Sequence, residues 1–308
     1  MTRRSPARGP APASASRRTP VTTLKELTRR DLLLLTVLHE HQVLTADQIA
    51  RFSFPSLDRA QQRLRQLADR GVLDRFRAGI RPGSQSWRYT LGPIGAAIIA
   101  AERGRPAPRP AAHAERVLRL ARSPRLEHLL GVNEFFIALA HHARHDQTLS
   151  LRWWLNEHRA TDLCTGLARP DGFGTWNEHH PTGVREISFF LEYDTGTEPL
   201  RRLIDKLPGY AEARLGDGPD HPVLFWLPSP QRERHLHDLL AQKGSPVPVA
   251  TAAPTATTTT TTTTPAAAGP GTDHSPADRV WLIPGTSARR RLIDLHPART
   301  KSTQRRAA

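Results

Sequence analysis

Thr28, Thr45 and Ser56 each stand directly before a run that can open a helix, and the third run is stopped by Gly71. Thr28 precedes DLLLLTVLHEH, whose leucines make a buried side. Thr45-Ala-Asp-Gln48 has the capping-box pattern and opens TADQIARFSF. Ser56 caps LDRAQQRLRQLADRG, with Gly71 at the C′ position. Two short helices and a longer third, joined tightly, have the spacing of a helix-turn-helix trio. In the third helix Ala60, Leu64 and Leu67 repeat at i, i+4, i+7 and face a core, which leaves Arg59, Gln62, Arg63, Gln66 and Arg70 on the other side. Arg reads guanine and Gln reads adenine by paired bonds in the major groove, so these five are candidate DNA-binding residues. An ordinary amphipathic helix with a solvated Arg/Gln face has the same pattern.

The chain that follows shifts the balance toward the first, although the same fold also mediates protein contacts. VLDRFRA (72–78) alternates apolar and basic residues, GIRPGSQ (79–85) is turn chemistry, and SWRYTL (86–91) returns as a second strand. A basic hairpin placed there is a wing that would lay Arg77, Arg81 and Arg88 along phosphates or the minor groove. A small-residue helix, GPIGAAIIAAERG, then covers the core or mediates dimerisation. Residues 25–104 are expected to form a winged helix-turn-helix.

Charge is distributed unevenly around this block. Residues 1–30 carry +7 and 285–308 carry +6, against +4 over 31–105 and −2 over 106–284. Such arms raise affinity for any polyanion through counterion release, or serve only as solubilising tails. Residues 1–24 have too few apolar groups to repay ordering and are expected to be a disordered basic arm. Residues 105–113 read as a Pro-rich linker, 244–277 as a low-complexity Thr/Ala/Pro linker, 278–284 as a returning strand and 285–308 as a basic tail. A single cysteine, Cys164, excludes a disulfide framework and a thiolate metal cluster. With no signal-peptide core and no apolar run near the ~18 residues of a membrane span, the expected location is the cytoplasm, without membrane attachment. No P-loop or dinucleotide motif is present.

Residues 114–243 alternate between helical and strand patterns, as a compact α/β domain does, so the whole chain is of mixed α+β or α/β class. Pro170-Asp171, followed by Glu192-Tyr193-Asp194 at the end of an apolar strand, resembles the core of restriction-endonuclease-like nucleases of the PD-(D/E)XK type. That resemblance implies Mg²⁺ held by Asp171, Glu192 and Asp194. Asp194 stands where the pattern has its lysine, with Lys206 on the following helix as a substitute and Arg202 one turn before it. The domain is therefore either an active nuclease using Asp171, Glu192, Asp194 and Lys206, or a nuclease-like scaffold without turnover. Other candidates are weaker in pattern. His141, His142, His145 and Asp146 contain an i, i+4 His pair able to bind Zn²⁺ or to stand solvated at a helix end. Trp153-Trp154 offers a base-stacking or a packing pair.

The segments TRRDLLLLTVLHEHQVLTADQIARF, RLEHLLGVNEFFIAL, RPDGFGTW and FFLEYDTGTEPLRRLIDKLPGY together resemble the replication-relaxation family over roughly residues 27–240. The EYDTGTE…K…Y run is the most specific of these. The resemblance implies a double-stranded-DNA-binding accessory of plasmid or mobile-element replication and of DNA relaxation during mobilisation, working beside a relaxase or replication protein, with a homodimer as one arrangement. Competing expectations are the Mg²⁺-dependent endonuclease and a winged-helix transcriptional regulator.

Overall fold

The computed structural model describes residues 19–77, 86–216, 218–253 and 275–295. In the first half, α1 (Pro20–Leu24), α2 (Arg29–His41), α3 (Ala46–Ser53) and α4 (Leu57–Asp69) are followed by α5 (Pro93–Glu102). All three expected caps form: Thr28 accepts from the Asp31 N–H, Thr45 from Gln48 and Ser56 from Arg59. Gly71, at φ 69°, turns the chain out of α4 in the left-handed region that glycine tolerates. Three short strands, β1 (Leu44–Thr45), β2 (Leu73–Phe76) and β3 (Arg88–Leu91), form an antiparallel sheet in the order β1-β3-β2. Leu34, Leu35, Leu38, Ile49, Ala60, Leu64, Leu67 and Val72 make one core between helices and sheet.

The second half carries α6 (Pro110–Ala121), α7 (Leu126–Ala143), β4 (Leu149–Asn156), α8 (Glu157–Leu163), β5 (Gly172–His180) and β6 (Gly183–Tyr193). Then come α9 (Arg201–Asp205), α10 (Leu207–Leu215), β7 (Val223–Trp226), α11 (Pro230–Lys243) and β8 (Val249–Ala252). The five strands lie in chain order, β4 to β6 antiparallel and β6 to β8 parallel. Side chains alternate across β6 as the pleat requires. Phe190 packs with Leu203, Leu207 and Tyr210, whereas Ile187, Phe189 and Leu191 pack against Phe135 and Phe136 of α7.

Five segments differ from the sequence reading. Residues 20–24, assigned to the disordered arm, form α1, capped by Thr19 and with Thr23 buried; residues 1–18 lie outside the described residues. Pro110 starts α6 inside the supposed linker, because a proline at the first helical turn gives up no hydrogen bond. Val249–Ala252, inside the supposed low-complexity segment, is the buried edge strand β8; 254–274 lie outside the described residues. The returning piece is a single bridge, Leu282 to Thr251, rather than a strand. Part of the supposed basic tail folds as well. Arg290 bridges Trp281, and Leu292, Ile293 and Leu295 close over the core beside the fully buried Trp281. Arg289 and Arg291 pair there with the buried Glu233 and Glu178, at 2.5 Å each. Residues 296–308 lie outside the described residues.

The two halves share a buried seam. Ile137 of α7 belongs to the first core, Trp154 of β4 stacks on His41 at 3.6 Å, and Arg51 of α3 pairs with Glu134. Asn133 donates to the carbonyls of His41 and Val43 at 3.1 and 2.8 Å. Burial, with Arg159 nearby, drives the His41 imidazole down to about 3, so the stacked ring is neutral. Among the described residues no helix is long and apolar enough to cross a membrane.

Candidate functional site

Helix α4 turns Ala60, Leu64 and Leu67 into the core and leaves Arg59, Gln62, Arg65 and Gln66 exposed. Arg63 lies on the same side but is braced. Its Nε and Nη2 donate to Asp31 at 3.1 and 2.6 Å, and Nη1 donates to Gln66 at 3.1 Å. Burial pushes the Asp31 carboxyl up, yet the Arg63 and Thr28 hydrogen bonds outweigh it and hold the group below its usual range. Arg70 pairs with Glu26 at 2.9 Å. The first turn of α2 and the loop before it therefore anchor Arg63 and Arg70. Beside it Thr28, Arg30, Phe54, Pro55 and Arg59 line a shallow groove.

The hairpin behind α4 divides its arginines. Arg75 and Arg77 lie over the Trp87 ring at 4.7 and 4.4 Å, a cation–π arrangement at the base of the turn. Arg81 lies outside the described residues. Arg88 departs from the expected phosphate contact. The register pairs it with Thr45 on one side and Phe76 on the other, which puts it mid-sheet, 7% exposed, and paired with Glu127 at 2.5 Å. Sequence alternation identifies the strand, but it cannot show that a partner helix supplies a carboxylate on that side.

The carboxylates near the end of the large sheet are distributed differently from a metal-binding set. Glu192, fully buried, receives Tyr210 Oη at 2.5 Å on one oxygen and Lys206 Nζ on the other. Asp194 is held by both Nε and Nη2 of Arg232 from α11 and by the Gly196 N–H at 2.9 Å. Asp171 accepts the Tyr193 N–H at 2.8 Å and faces His128 at 3.3 Å. Each expected ligand is thus engaged by a donor of the chain itself. Among the described residues no group of three or more His, Cys, Asp or Glu is placed to hold a metal ion. A Mg²⁺ shared by Asp171, Glu192 and Asp194 would have to displace these donors.

Lys206 does reach Glu192, as a substitute lysine would, while Arg202 turns to Glu198 at 3.3 Å. Burial and the Asp171 carboxylate push Glu192 up to about 7, against Lys206 and Tyr210. Burial alone would lower Lys206, but the Glu192 and Asp171 charges raise it. Arg232, Tyr210 and His128 were not identified as site residues from the sequence. Tyr210 follows Lys206 by one helical turn, a spacing that places both on one face. Nothing comparable marks Arg232.

The remaining candidates resolve into packing. His141 Nδ1 lies 3.0 Å from the Arg51 carbonyl oxygen, and its ring meets that of His145 edge-on. Trp154 is covered by His41 on one face and Phe136 on the other, whereas Trp153 is 49% exposed. Cys164 is buried, and burial with the Glu192 charge pushes its thiol up to about 11.

No curated protein matches the chain. A solved structure of TrmBL2, an archaeal chromatin protein described as showing a novel mode of DNA binding, has 14% identity over 74% of this chain and 76% of that one. Its TM-score is 0.18, too low to bear on the fold. Residues 35–222, more than half of the chain, match the family model described as replication-relaxation. The chain belongs to the replication-relaxation family.

Proposed function

We propose that the protein is a cytoplasmic accessory of plasmid or mobile-element replication and DNA relaxation, docking on duplex DNA through a winged helix-turn-helix. The observation that carries this reading is the exposed α4 face, with Arg59, Gln62 and Gln66 outward and Arg63 and Arg70 braced behind them. In this reading α4 enters the major groove. Arg59, Gln62 and Gln66 meet base edges, while Arg63 and Arg70 hold the helix at its angle and direct remaining N–H groups at phosphates. Arg77 and Arg81 of the hairpin brace the backbone. The second domain, fused along a buried seam, positions the docked DNA for a relaxase or replication protein, as monomer or homodimer.

Footprinting on the parental plasmid tests the reading. Arg59→Ala is expected to cost about 1–3 kcal/mol at the specific site and much less on random sequence. Equal loss on all sequences makes Arg59 a phosphate contact, and no loss removes α4 from the interface. The engaged carboxylates favour a second domain without a nuclease role. Mg²⁺-dependent nicking of supercoiled plasmid that disappears in Glu192→Ala would reverse that.

A further inference from the structure

A second cleft lies between α6, α7, α8 and the C-terminal end of α2. Its rim is cationic. Residues 103–125, which contain α6, carry seven arginines and one acid, Glu115, a net +6, and from this stretch Arg116, Arg119 and Arg125 line the cleft with Arg169, Glu40, Glu157 and Asp171. Arg119 and Arg125 are 76% and 63% exposed, and Arg169 across the cleft is 75% exposed. Arg119 pairs with Glu115 on its own helix at 2.8 Å, whereas the other acids are shared: Glu157 faces Arg125 at 3.1 Å and Arg169 at 3.4 Å, and Glu40 faces Arg159 at 3.3 Å and Arg103 at 3.9 Å. Burial and the charges of Arg103, Arg105 and Arg116 depress His39 despite Glu40 beside it, as expected where cations outnumber acids.

Helix α2 sets the distance between the two cationic faces. Its N-terminal Asp31 holds Arg63 of α4, and its C-terminal Glu40 and His41 line the cleft. Thirteen residues of helix put these ends roughly 20 Å apart at 1.5 Å per residue. Helix α6 is fixed rather than loose, through His113 to Asp74 at 2.8 Å and Arg116 to the Leu91 carbonyl at 3.2 Å.

We propose that the α6 face and the rim of this cleft form a second nucleic-acid site, gripping the phosphodiester backbone of a DNA segment other than the one under α4. The inference rests on the DNA-binding reading above and adds a bridging activity to it. Solvent-exposed Arg–Glu pairs add little net stability, so exchanging Glu157 for a phosphate between Arg125 and Arg169 costs little. Counterion release from the displaced backbone then drives the exchange. The contact carries no sequence reading, because the face has arginines and few amide side chains.

The experiment uses the full chain bound to a bead-tethered duplex of the plasmid site, challenged with a labelled second duplex or a labelled single strand of unrelated sequence. Wild type is expected to capture the second segment, and the duplex and single-strand arms distinguish a bridged helix from a displaced strand. Arg119→Gln/Arg122→Gln/Arg125→Gln is expected to lose at least about tenfold of that capture and to lower the salt slope of total binding by about 2–3. Affinity for the tethered site should stay within about threefold. A control of equal charge, Arg152→Gln/Arg202→Gln/Arg234→Gln, is expected to leave capture unchanged. Capture that survives the α6 triple, falls equally in the control, or never occurs with wild type overturns the second site while the α4 reading stands. Failure to bind the tethered duplex at all overturns both.

Discussion

Gln42 is held at φ 66°, ψ −47° at the end of α2, with the Val43 N–H bonded back to the His41 carbonyl at 2.8 Å. That three-residue turn is the strained γ form, and Asn133 clamps both of its outer carbonyls from α7. The Gln42 side chain itself is exposed. Gln42→Gly is therefore expected to raise stability by about 1 kcal/mol in a denaturant titration, and Asn133→Ala to lower it by about 2–3 kcal/mol. A neutral Gln42→Gly would mean that the turn is not strained. Glu192 gives a prediction in pH. Its folded value, about 7, lies above the ordinary 4.5, so the native state keeps a proton that the unfolded chain has lost. Stability then falls as pH rises from about 5 through 7, by on the order of 1–3 kcal/mol, and the full penalty stands above 7. Lys206, raised in the fold, contributes stability that is lost only in alkaline solution, outside this window. Glu192→Gln is expected to flatten the fall between pH 5 and 8, read as melting temperature against pH; an unchanged slope assigns the titration elsewhere. Of these residues, the sequence singles out Glu192 and Lys206, and Tyr210 lies one helical turn beyond Lys206, where local spacing could have found it. The Asn133 clamp and the Arg232 grip on Asp194 are invisible to it, since they join positions far apart in the chain and have no periodic signature.

Elements were legible where a local rule terminates them. Three side-chain caps and Gly71 delimit α2, α3 and α4 at the positions read from sequence, because a cap is a contact within three residues. Strand β8 and the 292–295 turn were missed for the opposite reason. Val249–Ala252 is buried only because β7 lies beside it in parallel, a pairing made through the intervening α11. The packing of α5 against β2 is likewise tertiary, and it depends on one glycine. A Cβ on Gly95 would stand 2.2 Å from the Val72 carbonyl oxygen and 3.2 Å from Leu35. The first of these contacts is backbone and cannot rotate away. Gly95→Ala is expected to cost more than 2 kcal/mol despite the better helix propensity of alanine. It should also weaken DNA binding, because β2 and β3 form the hairpin behind α4. A variant with wild-type stability would show that α5 can slide outward without loss.

At the scale of the molecule, the N-terminal helical block and the large sheet do not form independent units. Ile137 and Trp154 of the second half pack into the first core, and Gln48, Arg51 and Asn133 bond across the seam. The C-terminal piece packs on the α7 face of the same sheet: Trp281 is fully buried against Phe135 and Trp226, and its indole N–H bonds the Pro276 carbonyl at 2.7 Å. Phe135 sits on α7, the helix that also carries Glu134 and Asn133 to the seam. A cavity opened at Trp281 is therefore expected to loosen α7 and be felt at both ends of it. Trp281→Ala should cost about 3–5 kcal/mol in one cooperative transition monitored from either half. Two separated transitions, with the first half melting as in wild type, would show that the seam does not couple them. That outcome matters for function, because only a coupled seam lets a partner pressed on the large sheet change how firmly α4 is held.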